Sequence, residues 1–441
     1  MSSEEKPWIK AYAGYAEAET KVPGGSLTDL LRQAVKEHSE RTAIKFYGHA
    51  FSFSQLGQAV EGLAGALSQN GLGKGDRIAL MLPNCPQYVI SFFATVRLGA
   101  TVTQLNPMYV EREIEYILRD SGAKKIVVYA DMYPRVKAVQ RETDVDEVIV
   151  VDLQGTAELQ DGDRLFDDYL RSATGAASEV EIDPAEDLAA LQYTGGTTGV
   201  SKGAMLTHRN LLANVSQSLD MFIDDDDAFA NNEKIVGVLP YFHIFGLTCV
   251  MLFGIKQGLQ QLLVPRFEAQ EMAELVKAEE PVMFAAVPTM YMGLSALDDL
   301  ESYGFDRIRT YNSGGSALPV ELARSFKKRT GKTLFEGYGL SEASPVTHFN
   351  PPFLGEGREG SIGVPDEYRG ESVKAFVVKK PGGEVTEEEI LAFCRERLAP
   401  YKAPKTVEFR EELPKSTVGK LLRRVLSDEE REKVSNPPSP S

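Results

Sequence analysis

Long apolar runs, positive charge and cysteine are all scarce in this 441-residue chain, and each scarcity excludes something. No stretch reaches the roughly 18 apolar residues of a membrane-spanning helix. The best, Tyr88 to Val96, is cut off by Arg97, so no transmembrane segment is expected and only peripheral membrane contact stays open. The N-terminus is polar and acidic, without the basic and apolar regions of a secretory leader. Lys and Arg number 48 against 64 Asp and Glu. The formal charge of −16 repels a phosphate backbone, so no nucleic acid is expected as a partner. Cys85, Cys249 and Cys394 lie too far apart for a metal or disulfide pattern, and read as buried, reduced thiols of a cytoplasmic protein. What remains is 43% hydrophobic and 25% charged, ordinary for a globular chain too long for a single core.

What is present first is a rhythm. Ser26 to His38 has helical spacing with Ser26 or Thr28 as cap, Ala43 to Phe53 reads as two strands joined at Gly48-His49, and Phe53 to Ser68 is helical again. Asp76 to Leu82, Ala100 to Leu105, Ile126 to Tyr129 and Val148 to Asp152 are strand runs, with a helix over Gln87 to Leu98. Asp161 to Asp187 is acidic and weakly patterned, a connection between two units. Beyond it, Ile235 to Leu239, Gln261 to Val264 and Val282 to Val287 are strands; Glu271 to Ala278 and Val320 to Thr330 are helices. Strands alternating with helices predict a doubly wound, parallel α/β architecture. The acidic run Asp224 to Asp227 reads as a solvated loop. Thr386 to Glu389 is a capping box that opens a helix to Leu398, and Ser435 to Ser441 has the composition of a disordered tail.

The segment richest in chemistry is Tyr193 to Gly203, YTGGTTGVSKG, with four glycines, three threonines and one lysine in eleven residues. Glycines let backbone N–H groups turn inward as an anion nest, threonine hydroxyls add donors, and Lys202 adds charge, which together suit a triphosphate. A Walker A loop is excluded by the order of its residues; Gly331-Lys332-Thr333 ends like one, but Phe326 stands where its first glycine belongs.

This segment resembles the phosphate-binding signature of the adenylate-forming (AMP-binding) superfamily, of the long-chain fatty acyl-CoA synthetase kind, and other signatures follow in that family's order. Pro240 to Gly246 is similar to its aromatic-histidine motif, Asn312 to Ser316 to its adenine-side loop, Gly337 to Glu342 to its adenine-stacking and magnesium motif, and Pro414 to Lys420 to its C-terminal catalytic loop. Ser201 stands where the family usually has proline, which predicts a less rigid loop. The resemblance implies ATP, Mg2+ and coenzyme A as reactants, with Thr194, Gly195, Gly196, Thr197, Thr198, Gly199 and Lys202 on the phosphates. It places Gly314, Gly315, Tyr338, Gly339 and Ser341 around AMP, Glu342 on the metal, and Lys420, His243 and Glu342 as the catalytic set. It implies residues 1–180 and 181–365 as two doubly wound αβ subdomains of a large N-terminal domain, 366–428 as a small truncated α+β C-terminal segment, and 429–441 as tail.

Substrate class follows from an absence. No Asp or Glu lies between Tyr241 and Lys256, so a buried ammonium would have no partner there and a fatty carboxylate suits the pocket better than an amino acid. A second absence concerns the family pattern. After Gly360 to Pro365 the chain runs straight into Asp366-Glu-Tyr-Arg-Gly-Glu371, and the Thr-Gly-Asp that holds ribose, the hinge and a glycine-rich loop are missing. About a hundred residues are absent by this reading, with ATP binding weakened, CoA transfer impaired, strands Val373 to Val378 and Thr406 to Phe409 left with unpaired edges, and aggregation favoured. The alternative is a catalytically inactive, nucleotide- or acyl-binding remnant.

Overall fold

Helix Leu27–His38 starts where its first free N–H groups find side chains. The Ser26 hydroxyl accepts from Asp29 N–H while the Asp29 carboxylate takes the Ser26 N–H at 2.7 Å, a reciprocal cap that settles Ser26 over Thr28. Its buried stripe, Leu27, Leu30, Leu31 and Ala34, has the three-and-four spacing of one helix face. Burial of each such leucine stabilises by roughly 1.5–3 kcal/mol. The computed structural model describes residues 20–194, 201–222, 229, 233–349, 365–366, 370–371, 374–379, 385–397 and 403–412. The acidic run 224–227, the tail 435–441 and most of the junction 360–371 lie outside the described residues.

Fifteen strands make two large sheets. In chain order they are β1 Thr42–Phe46, β2 His49–Ser52, β3 Arg77–Met81, β4 Thr101–Gln104, β5 Lys125–Tyr129, β6 Glu147–Val151, β7 Arg164–Leu165, β8 Leu188–Thr194, β9 Lys202–Thr207, β10 Lys234–Gly237, β11 Gln260–Leu263, β12 Met283–Ala286, β13 Thr310–Ser313, β14 Phe335–Gly339 and β15 Val346–Phe349. One sheet has the order β7-β6-β5-β3-β4-β8-β9, parallel except for the final β8–β9 pair. The other has the order β15-β14-β13-β12-β10-β11-β1-β2, parallel inside and antiparallel at both ends. Strands such as β4, buried at every position, need both sheet faces covered, which the flanking helices do. The doubly wound α/β reading therefore holds. One buried apolar cluster includes Leu80, Tyr88 and Phe92 beside the first sheet and Tyr241, Leu247 and Phe253 beside the second, so the two sheets share a core.

The sheets do not follow chain halves. Strands β1 and β2 pair into the second sheet, Ile44 against Gln261, whereas β8 and β9, beyond residue 180, complete the first. The stretch 161–187 is more structured than expected: it holds β7 and helix Phe166–Arg171, too short to show a period. A π-helix over Leu247–Leu252, all buried, carries no sequence signal.

Past β15, short strands β16 Pro365–Asp366 and β17 Gly370–Glu371 pair with each other. Strands β18 Lys374–Val377 and β19 Thr406–Phe409 pair in parallel across helix Glu387–Arg397, a small β-α-β unit. Each of the two strands satisfies one side of the other, and among the described residues no further strand pairs with the outer edge of either, as the expectation of unpaired edges has it. Thr386 and Glu389 form the expected capping box. Cys85 and Cys249 are buried free thiols, but Cys394 is only half-buried, on a helix with no described core beneath it.

Candidate active site

The phosphate-loop residues Gly195, Gly196, Thr197, Thr198 and Gly199 lie outside the described residues, but the neck of their loop is well defined. Thr194 ends β8 and Lys202 opens β9, and the two are direct partners in the antiparallel pair. Ser201 Oγ donates to Thr194 O at 2.7 Å, and the Tyr116 hydroxyl donates to Ser201 O at 2.9 Å. Below them Tyr193 donates to Asp120 at 2.6 Å. The expectation of a less rigid loop falls on residues 195–200, outside the described residues; at the neck, the Ser201 hydroxyl ties the two ends of the loop together.

Strand β9 leads without a break into helix His208–Phe222, and it lies in contact with the 3-10 turn Ser341–Ala343 that carries Glu342. This sets Lys202 and Glu342 on neighbouring elements from different sheets. Glu342 is exposed and has no hydrogen-bond or ion-pair partner among the described residues. No group of three His, Cys, Asp or Glu is gathered among those residues, so no all-protein metal cage is present. An exposed carboxylate left unpaired by the described residues fits Mg2+, which takes one or two carboxylates and completes its shell with phosphates and water.

Three loops at the carboxyl ends of β10, β13 and β14 enclose a cleft of about 180 Å³. It gathers His243, Gly314, Gly315, Tyr338, Gly339 and Ser341, six of the predicted residues, with Asn312, Phe245 and Pro345 among the rest of the wall. Tyr338 is 56% exposed, an unusual state for a large aromatic ring beside a cleft, and offers a free face. Gly315 has φ +81°, a conformation that a side chain would strain. His243 opens onto the cleft, yet the protein around it disfavours the charged form and lowers its pKa. Its Nδ1 accepts from Phe245 N–H at 3.2 Å, so the neutral ring keeps its proton on Nε2. Lys420 lies outside the described residues.

Asn312 and Ser313 belong to the segment Asn312 to Ser316 that the resemblance marks as the adenine-side loop, but only Gly314 and Gly315 were assigned a role in it. Both side chains are buried and without a hydrogen-bond partner among the described residues, and both line the cleft, so each offers unspent hydrogen-bonding capacity to a ligand. The motif marks the segment, but no spacing rule says that these two side chains are left with unused polar atoms.

A second, larger cleft of about 1020 Å³ shares Pro240 and Phe242 with the turn before His243. Its walls include the loops after β3 and β4 (Asn84, Asn106) and after β10 and β11 (Val238, Phe267). In each sheet the strand order reverses at that place, which is where open α/β sheets leave a crevice for ligands.

A sequence profile described as AMP-binding enzyme matches residues 31–390. The chain belongs to the AMP-binding enzyme family. It is 34% identical to a long-chain-fatty-acid–CoA ligase of Bacillus subtilis strain 168, over 97% of this chain and 99% of the relative. The Salmonella typhimurium long-chain-fatty-acid–CoA ligase is 32% identical over 98% of this chain and all of the relative. Among solved structures, a long-chain-fatty-acid–CoA ligase from Archaeoglobus fulgidus superposes with a TM-score of 0.68 at 23% identity, covering 89% of this chain and 98% of that one. An anthranilate–CoA ligase bound to anthranoyl-AMP gives 0.70 at 21% identity, covering 93% and 98%. The Bacillus alignment spans 557 positions against 441 residues here, so more than a hundred positions of this family member have no residue in this chain. That agrees with a missing internal segment.

Proposed function

We propose that the chain is an ATP-dependent, AMP-forming acid–thiol ligase that activates a fatty acid and transfers it to coenzyme A. The observation that carries the reading is the single cleft that gathers His243, Gly315, Tyr338 and Ser341 beside the strand bearing Lys202. In the first step a carboxylate oxygen attacks the α-phosphorus of ATP, the bond to the β-phosphate oxygen breaks, and pyrophosphate leaves. In the second the CoA sulfur attacks the acyl carbonyl, AMP departs, and the thiol proton passes to solvent. Tyr338 stacks on the adenine, Thr194 and Lys202 with Gly195 to Gly199 hold the phosphates, and Lys420 meets the charge that builds on the α-phosphate. Glu342 would hold Mg2+, which when bound neutralises phosphate charge. His243, neutral and in an apolar wall, borders the carboxylate without adding a charge. The larger cleft gives room for an extended, mainly apolar substrate arm. Buried thiols at Cys85 and Cys249 support a cytoplasmic location, and among the described residues no helix is long and apolar enough to cross a membrane.

The test is fatty-acid-dependent exchange of labelled pyrophosphate into ATP, with Lys420→Ala alongside. Exchange in the parent that falls by about 10² or more in the variant is the expected result. Folded protein without exchange would favour the second reading, an inactive nucleotide- or acyl-binding remnant. The missing positions of the alignment are the observation behind that alternative.

A further inference from the structure

We propose that Asn214 is a positioning residue, which fixes the Glu342 turn against the phosphate-loop strand so that one carboxylate can meet the nucleotide's metal; this rests on the ligase reading above. Asn214 sits within helix His208–Phe222 and is 2% exposed. A buried asparagine is costly unless its amide is satisfied. Here the amide is used almost wholly on the backbone of another sheet. Its Nδ2 donates to Val346 O at 2.8 Å and, at 3.4 Å, to Ala343 O, while its Oδ1 accepts from Val346 N–H at 3.1 Å. One side chain thus takes both main-chain groups of Val346, as a neighbouring strand would.

The place of this grip explains why it matters. Among the described residues strand β15 is the edge of its sheet, with β14 on one side and no strand on the other. Between them, Gly339 pairs with Val346, Leu340 N–H donates to Pro345 O at 3.0 Å, and the Ser341–Ala343 turn projects Glu342 from the tip. The free side of this hairpin end is where Asn214 binds. The helix that carries Asn214 is the direct continuation of β9, whose first residue is Lys202. Asn214 therefore ties the element bearing Glu342 to the element bearing Lys202, across the boundary between the two sheets. The helix itself is held at its start, where buried His208 accepts from Leu27 N–H at 3.2 Å.

A metal held by one protein carboxylate and by phosphates has few protein ligands to correct an error in position, and Mg2+ tolerates little departure from octahedral geometry. A group that orients a metal ligand without touching the metal typically changes metal affinity by about 10–100-fold when removed. Gln217 provides an internal control. It is exposed, and its Oε1 accepts from the Asn214 amide at 3.4 Å without reaching the turn.

The experiment uses the full chain and titrates Mg2+ at fixed α,β-methylene-ATP, with binding read by calorimetry and fatty-acid-dependent exchange measured in parallel. Asn214→Ala is expected to raise the half-saturating Mg2+ concentration about tenfold. The KM for fatty acid should stay within about twofold, because the His243 turn is not touched, and Gln217→Ala should match the parent. Asn214→Ser retains one hydroxyl and should fall between the two; it serves if the alanine variant does not fold. A structural role alone would lower the melting temperature or active fraction and leave the Mg2+ midpoint in place, and that result overturns the proposal. Parent protein that binds no Mg-nucleotide overturns the ligase reading and the positioning role with it. Parent that binds it, with unshifted midpoints in both Asn214 variants, overturns the positioning role alone.

Discussion

At the scale of single residues, buried polar side chains decide how the two sheets meet. Asn84, after β3, donates to Gly237 O and Leu239 O at 2.8 Å each and accepts from Tyr241 N–H at 2.8 Å. Gln192 on β8 donates to Phe242 O at 3.1 Å, so the turn before His243 hangs from side chains of the other sheet. Neither residue was legible in the sequence, because a lone Asn or Gln in an apolar run has no spacing rule. His208 is a third case, with a testable consequence. Burial is the main cause that pushes its pKa down to about 4, against opposing pulls from Asp187 and Asp29. The folded state thus prefers the neutral ring, while the unfolded chain binds a proton below about pH 6.5. Its contribution is complete above that pH and is lost as pH falls toward 4, on the order of 3 kcal/mol in all. Urea unfolding followed by circular dichroism should show that decline. In His208→Asn, whose Oδ1 can still accept from Leu27, the slope between pH 6.5 and 4 should flatten.

At the scale of elements, periodicity found what it could see. The capping boxes at Ser26 and Thr386, helix Val320–Thr330 and the buried strands were readable because each repeats a local rule over several residues. The π-helix and the two-residue β7 were not, since one depends on tertiary packing and the other is too short to show a period. Of the site, the glycine and tyrosine motifs and their grouping around one nucleotide were legible through the family resemblance, but not the unspent side chains of Asn312 and Ser313 in the same wall. The β14–β15 turn gives a sharp prediction. A Cβ on Gly339 would stand 2.5 Å from Pro345 O, a backbone atom that no rotamer change can move. Gly339→Ala is expected to lose about 1–3 kcal/mol of stability by overpacking. It should also weaken ATP binding, since the same turn bears Glu342. Thermal melts with and without MgATP would show both effects, and an unchanged ligand-induced shift would count against the second.

At the scale of the whole molecule, the chain keeps both sheets of its family but lacks more than a hundred aligned positions, which the sequence places at the junction after Pro365. Effective catalysis depends on holding groups within about an ångström of their target, and a misplacement of that size costs about 10²-fold. Insertion of the Bacillus subtilis relative's intervening segment between Pro365 and Asp366 should therefore raise acyl-CoA formation by about 10² or more, with pyrophosphate exchange changed less. Equal rates in the two proteins would show that the segment is not what limits transfer.

The hairpin of β1 and β2 bears on how the protein is made. Ile44 emerges from the ribosome roughly 200 residues before its partner Gln261. At bacterial or eukaryotic synthesis rates of ~5–20 residues per second, that is a wait of ~10–40 s. For that time the Thr42–Phe46 edge has no strand to bind, and nascent chains crowded on one message could pair with each other instead. A chaperone that shields the first fifty residues during translation would raise the yield of native protein without touching its stability.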